Sequence, residues 1–275
     1  SKSAIASDEK FIRLRTNSFV RYCLYTKQAH FQGLRNAEGR AIIRMKTYIF
    51  RQASPGAGRR KEIVMGRILL VRHGQSSTNQ ARIFTGQLDY DLSPLGYRQA
   101  ECAMDYIAAH DAVEAIYASD LQRAVHTAQP LAERLHLPIV PMPAFREINA
   151  GAWQGQKFTD LMEDAAYALW QHDIGHCACP GGESVAQLAE RVYTALTALA
   201  RKHDGQTILL ATHATPIRTL QCTLLHRPLA EMKDVQWVTN ASLTVVEYAN
   251  GEFSMPLISY DDYLAGMKTT LPKEA

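Results

Sequence analysis

The chain has 275 residues, a formal net charge of +3, 47% hydrophobic residues and five cysteines, an odd and scattered set. That length provides core enough for one large domain or two small ones without disulfides, and the thiols read as reduced, in a cytoplasmic compartment. No apolar run approaches the roughly 20 residues of a membrane span.

The charge is divided along the chain. Residues 1–64 hold 14 Lys and Arg against 4 Asp and Glu, a local excess of ten positive charges, whereas the remainder holds 16 against 23. The head, 1–64, has no sustained helical or strand period and ends in the linker-like "RQASPGAGRRKEIV". It reads as a targeting segment, as a basic arm, or, the reading preferred here, as sequence upstream of a natural start at Met65. The expected division is therefore a basic, poorly structured extension over 1–64 and a folded domain over 65–275.

From Met65 the pattern is regular. "RILLV" (67–71) predicts a short buried strand. In "LSPLGYRQAECAMDYIAAH", Ser93 is an N-cap, Pro94 opens a helix, and Tyr97, Ala100, Met104, Ile107 and Ala108 share a face. "AIYAS" (115–119) predicts a second strand; Ser119 and Asp120 can cap the helix after it, which Pro130 should kink or split. "LPIVPM" (137–142) is a short extended piece. A capping box from Ser184 to Gln187 opens a helix striped by Val185, Leu188, Val192, Leu196 and Leu199. "TILLAT" (207–212) is a third buried strand, followed by a helix opened by Thr215 and Pro216, and "LTVVEY" (243–248) closes the sheet. Strands alternating with helices predict an α/β sandwich on a largely parallel sheet, with ligands beyond the strands' carboxyl ends.

Three groups with chemical potential stand just past apolar runs: Arg72 and His73 after "ILLV", Arg123 after "AIYAS", and His213 after "TILLAT". A parallel sheet carries all of them to one edge. Two guanidiniums that stay charged, helix-terminal N–H groups near Gly74 and Thr215, and a neutral histidine make a tetrahedral-anion site with a nucleophile for phosphorus. The cationic cradle balances the charge on the phosphoryl oxygens, so no Mg²⁺ or other cofactor is required.

Six blocks, in order, carry a resemblance: "LLVRHGQSSTN", "FTGQLDYDLSPLGYRQA", "YASDLQRAVHTA", "FREINAGAWQG", "PGGES" and "ILLATHATPIR". Together they resemble the histidine phosphatase superfamily, which includes the cofactor-dependent phosphoglycerate mutases, over residues 65–250 or so. The resemblance implies a three-layer α/β/α sandwich of the phosphoglycerate mutase type. It implies that His73 is the nucleophile that becomes phosphohistidine, with Arg72, Arg123 and His213 completing the phosphate pocket. It implies that Glu147 protonates the leaving oxygen and then activates water. Asn79 would touch the phosphate, and Thr85, Gly86, Gln87 and Ala214 would line the mouth.

Each residue has a blander reading: His73 as a strand end, Arg72 and Arg123 as surface cations, His213 as a core histidine, Glu147 as a partner of Arg146, Thr85–Gly86 as a plain turn. "WQHDIGHCACPGG" gathers His172, His176, Cys177 and Cys179, but the spacing fits no zinc pattern, so no metal is expected and incidental thiols of a lid are preferred. Neither a G-x-x-x-x-G-K-[ST] loop nor a strand-linked G-x-G-x-x-G occurs.

The expected reaction is a phosphomonoesterase acting through phosphohistidine on a small phosphorylated metabolite. The rivals are a phosphoglycerate mutase-type transfer and a non-catalytic phospho-ligand binder. The segment from Phe158 to Pro180 contains no Lys or Arg, which argues against a clamp for a doubly charged acid. Trp153, Phe158, Tyr167 and Trp170 are candidate contacts for an apolar or ring-bearing leaving group. The expected partner is a small substrate rather than nucleic acid or membrane, with a homodimer allowed.

Overall fold

The computed structural model describes residues 65–269. The basic head, 1–64, lies outside the described residues.

Six strands form one sheet: β1 (Gly66–Arg72), β2 (Ala115–Ala118), β3 (Ile139–Pro141), β4 (Thr207–Thr212), β5 (Leu243–Ala249) and β6 (Glu252–Tyr260), in the order β3-β2-β4-β1-β5-β6. The first four positions run parallel, while β5 and β6 are antiparallel to their neighbours. Side chains alternate across β1, and both faces are covered. Leu69 and Val71 pack with Met104, Ile107, Ala128 and Leu131 on one side, and Ile68 and Leu70 with Leu188, Val192, Ile217 and Leu220 on the other. Helices α2 (Pro94–His110) and α3 (Gln122–Leu135) thus cover one face, and α6 (Val185–Lys202) and α7 (Ala214–Leu224) the other. Short helices α1 (Ser77–Gln80), α4 (Phe158–Leu161) and α5 (Ala165–His172) lie in the connections. The architecture is the expected three-layer sandwich.

Local chemistry accounts for the helix starts. The Ser93 hydroxyl accepts from the Gly96 N–H, with Pro94 at the first helical position. Ser184 and Gln187 make both arms of a capping box, and the five apolar residues striped along α6 are all buried. Burial of each large one contributes roughly 1.5–3 kcal/mol.

Four expectations are corrected. The sheet does not close at β5: Asn250 and Gly251, at φ 55° and 87°, turn the chain into β6, as an Asn-Gly pair favours. Pro130 lies inside α3 without splitting it, so of the expected kink or split the split does not occur. No side chain caps α3, since its N-cap is Leu121, and the Ser119 hydroxyl serves a histidine instead. Tyr97 is exposed, its hydroxyl donating to Asp91, and does not belong to the buried face of α2. Among the described residues no helix is long and apolar enough to cross a membrane.

Candidate active site

Strands β1 and β4 run in register, Val71 opposite Ala211 and Arg72 opposite Thr212, so they end at the same level. The next residues, His73 and His213, therefore leave the sheet side by side, and the His73 N–H still donates to the Thr212 carbonyl at 2.8 Å. Their rings lie 5.1 Å apart, inclined by 60°. The chain after His73 is pressed onto the first turn of α2: a Cβ on Gly74 would meet the Gly96 carbonyl oxygen at 2.4 Å, and one on Gly96 would meet that of Gln75 at 2.0 Å.

The His73 Nδ1 lies 2.7 Å from the Gly74 carbonyl oxygen. A carbonyl only accepts, so Nδ1 carries the hydrogen and Nε2 keeps its lone pair. The ring is buried, and burial first, then Arg123 and Arg72, hold its pKa well below the ordinary value. His213, fully buried at the N-cap of α7, is likewise held neutral by burial and the same cations. Its Nε2 lies 2.8 Å from the Ser119 hydroxyl, which also accepts the Leu121 N–H at 3.4 Å. The other ring nitrogen of His213, Nδ1, is buried without a partner.

The two arginines are anchored by main-chain carbonyls. Arg123 donates to the carbonyls of Leu88 and Gly86, each at 2.8 Å, and Arg72 to that of Val238 at 2.6 Å. Burial lowers both pKa values to about 10, opposed chiefly by Glu147, so both remain cationic at neutral pH. The Nε atoms of both are buried without a partner. Two desolvated cations with unpartnered Nε donors are costly unless an anion joins them.

Glu147 faces the same space, its carboxylate accepting from the N–H groups of Ile148 at 2.8 Å and Thr215 at 3.4 Å. Asn79 spends its oxygen on the N–H of Ser76 and the amide of Asn240, leaving its own amide hydrogens for the cavity. Gly86 and Ala214 line it too. The cavity has a volume of about 920 Å³.

Two mouth assignments change. Thr85 lines the cavity, but its hydroxyl donates to Thr78 at 2.6 Å. Gln87 faces away: its N–H donates to Gln154, and its side-chain amide to the Glu147 carbonyl at 3.0 Å, so it supports Glu147 from behind. His213 likewise acts from beneath His73 rather than from the cavity surface. Arg146 turns away from Glu147 to pair with Asp120.

Of the aromatic candidates, Phe158, Tyr167 and Trp170 line the cavity, whereas Trp153 is buried behind them, stacked on Phe84 and donating to Asp164. His176 pairs with Asp173, and burial raises the Cys179 thiol to about 12. Among the described residues no three metal-binding side chains converge.

The expectation of a cation-poor wall is also corrected. The segment from Phe158 to Pro180 lacks cations, but Arg218, Lys233 and Lys268 reach the cavity from elsewhere. Arg218 stands five residues beyond His213 within "HATPIR", a separation that no same-face helical spacing marks. Trp237 and Asn240 arrive on the loop before β5, which carries no local pattern; the Asn240 amide donates to the His73 carbonyl at 3.1 Å.

Residues 68–260 match the family model of the histidine phosphatase superfamily (branch 1). The chain belongs to this superfamily. A metal-independent phosphoserine phosphatase of Arabidopsis thaliana is 31% identical over 183 residues, 65% of this chain and 75% of the relative. A bifunctional protein of Mycobacterium tuberculosis is 32% identical over 201 residues, 72% of this chain; the chain spans 55% of that relative's length. Among solved structures, a mycobacterial glucosyl-3-phosphoglycerate phosphatase complexed with VO3 superposes with a TM-score of 0.64 at 29% identity, covering 70% of this chain and 98% of the other.

Proposed function

We propose that this member of the superfamily is a metal-independent phosphomonoesterase working through phosphohistidine. The observation that carries the reading is the His73 Nδ1–H bond to the Gly74 carbonyl, which leaves Nε2 as a neutral, unprotonated nucleophile inside a ring of cations. The phosphate dianion of the substrate is held by Arg72 and Arg123, with His213 supporting the His73 ring from beneath. The Nε2 lone pair attacks phosphorus, the ester P–O bond breaks, and Glu147 in its acid form delivers a proton to the leaving oxygen. As a carboxylate, Glu147 then takes a proton from the water that attacks phosphohistidine, and His73 is released with inorganic phosphate. The guanidiniums neutralise the transferring group without reorganising. The names of the Arabidopsis and mycobacterial relatives support a phosphatase, and that of the Arabidopsis relative one that needs no metal.

The test is brief incubation with a ³²P-labelled monoester, followed by acid-labile, base-stable label analysis. Label should appear on the wild type and be missing from His73→Ala, with inorganic phosphate as the product. Turnover by His73→Ala at the wild-type rate would remove the nucleophile. A phosphate returned to a second hydroxyl of the same substrate would make the enzyme a mutase, a reading favoured by the additional cations at the cavity.

A further inference from the structure

The cations at the cavity are more numerous than one phosphate requires. Six lining residues are Lys or Arg, and Glu147 is the single acid among them. Arg72 and Arg123 serve the phosphate cradle. Arg218 does not: it reaches the cavity from α7, partly buried, with one bond from Nη2 to the Met232 carbonyl and a buried Nε without a partner. Among the described residues it makes no ion pair. Its guanidinium carbon lies 5.0 Å from the centre of the Trp237 ring, and that of Arg72 5.4 Å from the same ring. Both cations therefore lie against one aromatic side chain. Lys233 opens on the same cavity, with no ion pair among the described residues. Lys268 is already held by Asp261 and Asp262.

We propose that Arg218, Lys233 and Trp237 form a second anion subsite, so that the substrate is a phosphomonoester whose alcohol carries a further anionic group and no amine. This rests on the phosphatase reading for the first anion. A fixed guanidinium fork suits a carboxylate or a phosphate. An ammonium group would enter a cavity holding one carboxylate, already engaged by two N–H groups and needed for proton transfer. The cavity therefore selects against a phosphorylated amino acid.

Binding to the His73→Ala protein, measured by titration calorimetry, tests the proposal without turnover. 3-Phosphoglycerate should bind at least tenfold more tightly than glycerol 3-phosphate and O-phosphoserine if the second anion is a carboxylate. Fructose 1,6-bisphosphate should show that advantage over fructose 6-phosphate if it is a phosphate. Adding Arg218→Met should reduce the advantage to within twofold, and adding Lys233→Ala should shrink it about threefold. If Arg218→Met does not fold, the ranking and Lys233→Ala carry the test. No advantage in either pair, or one that survives the substitutions in folded protein, overturns the subsite and leaves Arg218 as a strut for the loop bearing Met232. If the ranking holds while the wild type fails to hydrolyse p-nitrophenyl phosphate, the phosphatase reading fails and the subsite stands.

Discussion

The guanidinium of Arg191, on α6, donates to the backbone carbonyl of Glu147 over 3.0 Å. The same side chain donates to the carbonyls of Ala144 and Arg146 and makes a two-pronged pair with Glu183, whose carboxylate accepts the Asn149 N–H at 2.7 Å. One arginine thus fixes the loop that carries the proposed general acid, without itself lining the cavity.

Arg191→Met should misplace Glu147 more than it disturbs the phosphate cradle. Turnover of alkyl phosphates, which need a proton on the leaving oxygen, should fall at least tenfold more than that of p-nitrophenyl phosphate. Stability should fall by about 2 kcal/mol, because the Glu183 pair is only partly buried. Equal losses on both esters would make Arg191 a structural residue alone. The comparison needs steady-state kinetics and a urea titration.

Glu147→Gln keeps shape but cannot deliver a proton. It should lower kcat for alkyl esters by about 10²–10³ and for aryl esters far less, with substrate binding preserved. A uniform loss would assign the acid role to another group.

These residues differ in how readable they were from sequence. His73 and His213 were legible because each stands just past a short apolar run, and parallel pairing of such runs brings their ends to one edge. Arg123 was legible for the same reason, one helical turn past β2. Arg191 was not, since its role depends on where the loop from Ala144 to Asn149 folds back across α6. Trp237 and Asn240 were hidden because the loop bearing them is fixed by tertiary bonds, the Ala241 N–H to the Arg72 carbonyl at 3.0 Å among them. The β5–β6 hairpin was readable from Asn250-Gly251, but Pro256 and the irregular pairing of β6 obscure its strand pattern.

Gly96 is the point where the loop after His73 rests on α2. A methyl group there would stand 2.0 Å from the Gln75 carbonyl oxygen, against backbone that cannot swing aside. Gly96→Ala should cost about 1–3 kcal/mol in a denaturant titration and lower kcat, because the displaced loop holds His73 Nδ1. Chelation with EDTA, in contrast, should leave activity of the wild type unchanged.

The buried histidines set a pH dependence of stability. His73 and His213 both have pKa values held well below the ordinary 6.5 in the folded chain, by burial first and by Arg123 next. Below about pH 6.5 the unfolded chain binds protons at these positions that the folded chain refuses, so the unfolded state gains. The stabilisation is therefore fully present above the unfolded pKa and declines as pH falls below it, by up to about 1.4 kcal/mol per pH unit for each histidine. Urea midpoints between pH 7.5 and 5 should be flat at first and then fall. In His213→Gln, which titrates nothing at that position, the acid slope should be about half as steep as in the wild type. An unchanged slope would mean that His213 takes up its proton in the folded chain, and with it the neutral pocket that the nucleophile requires would be lost.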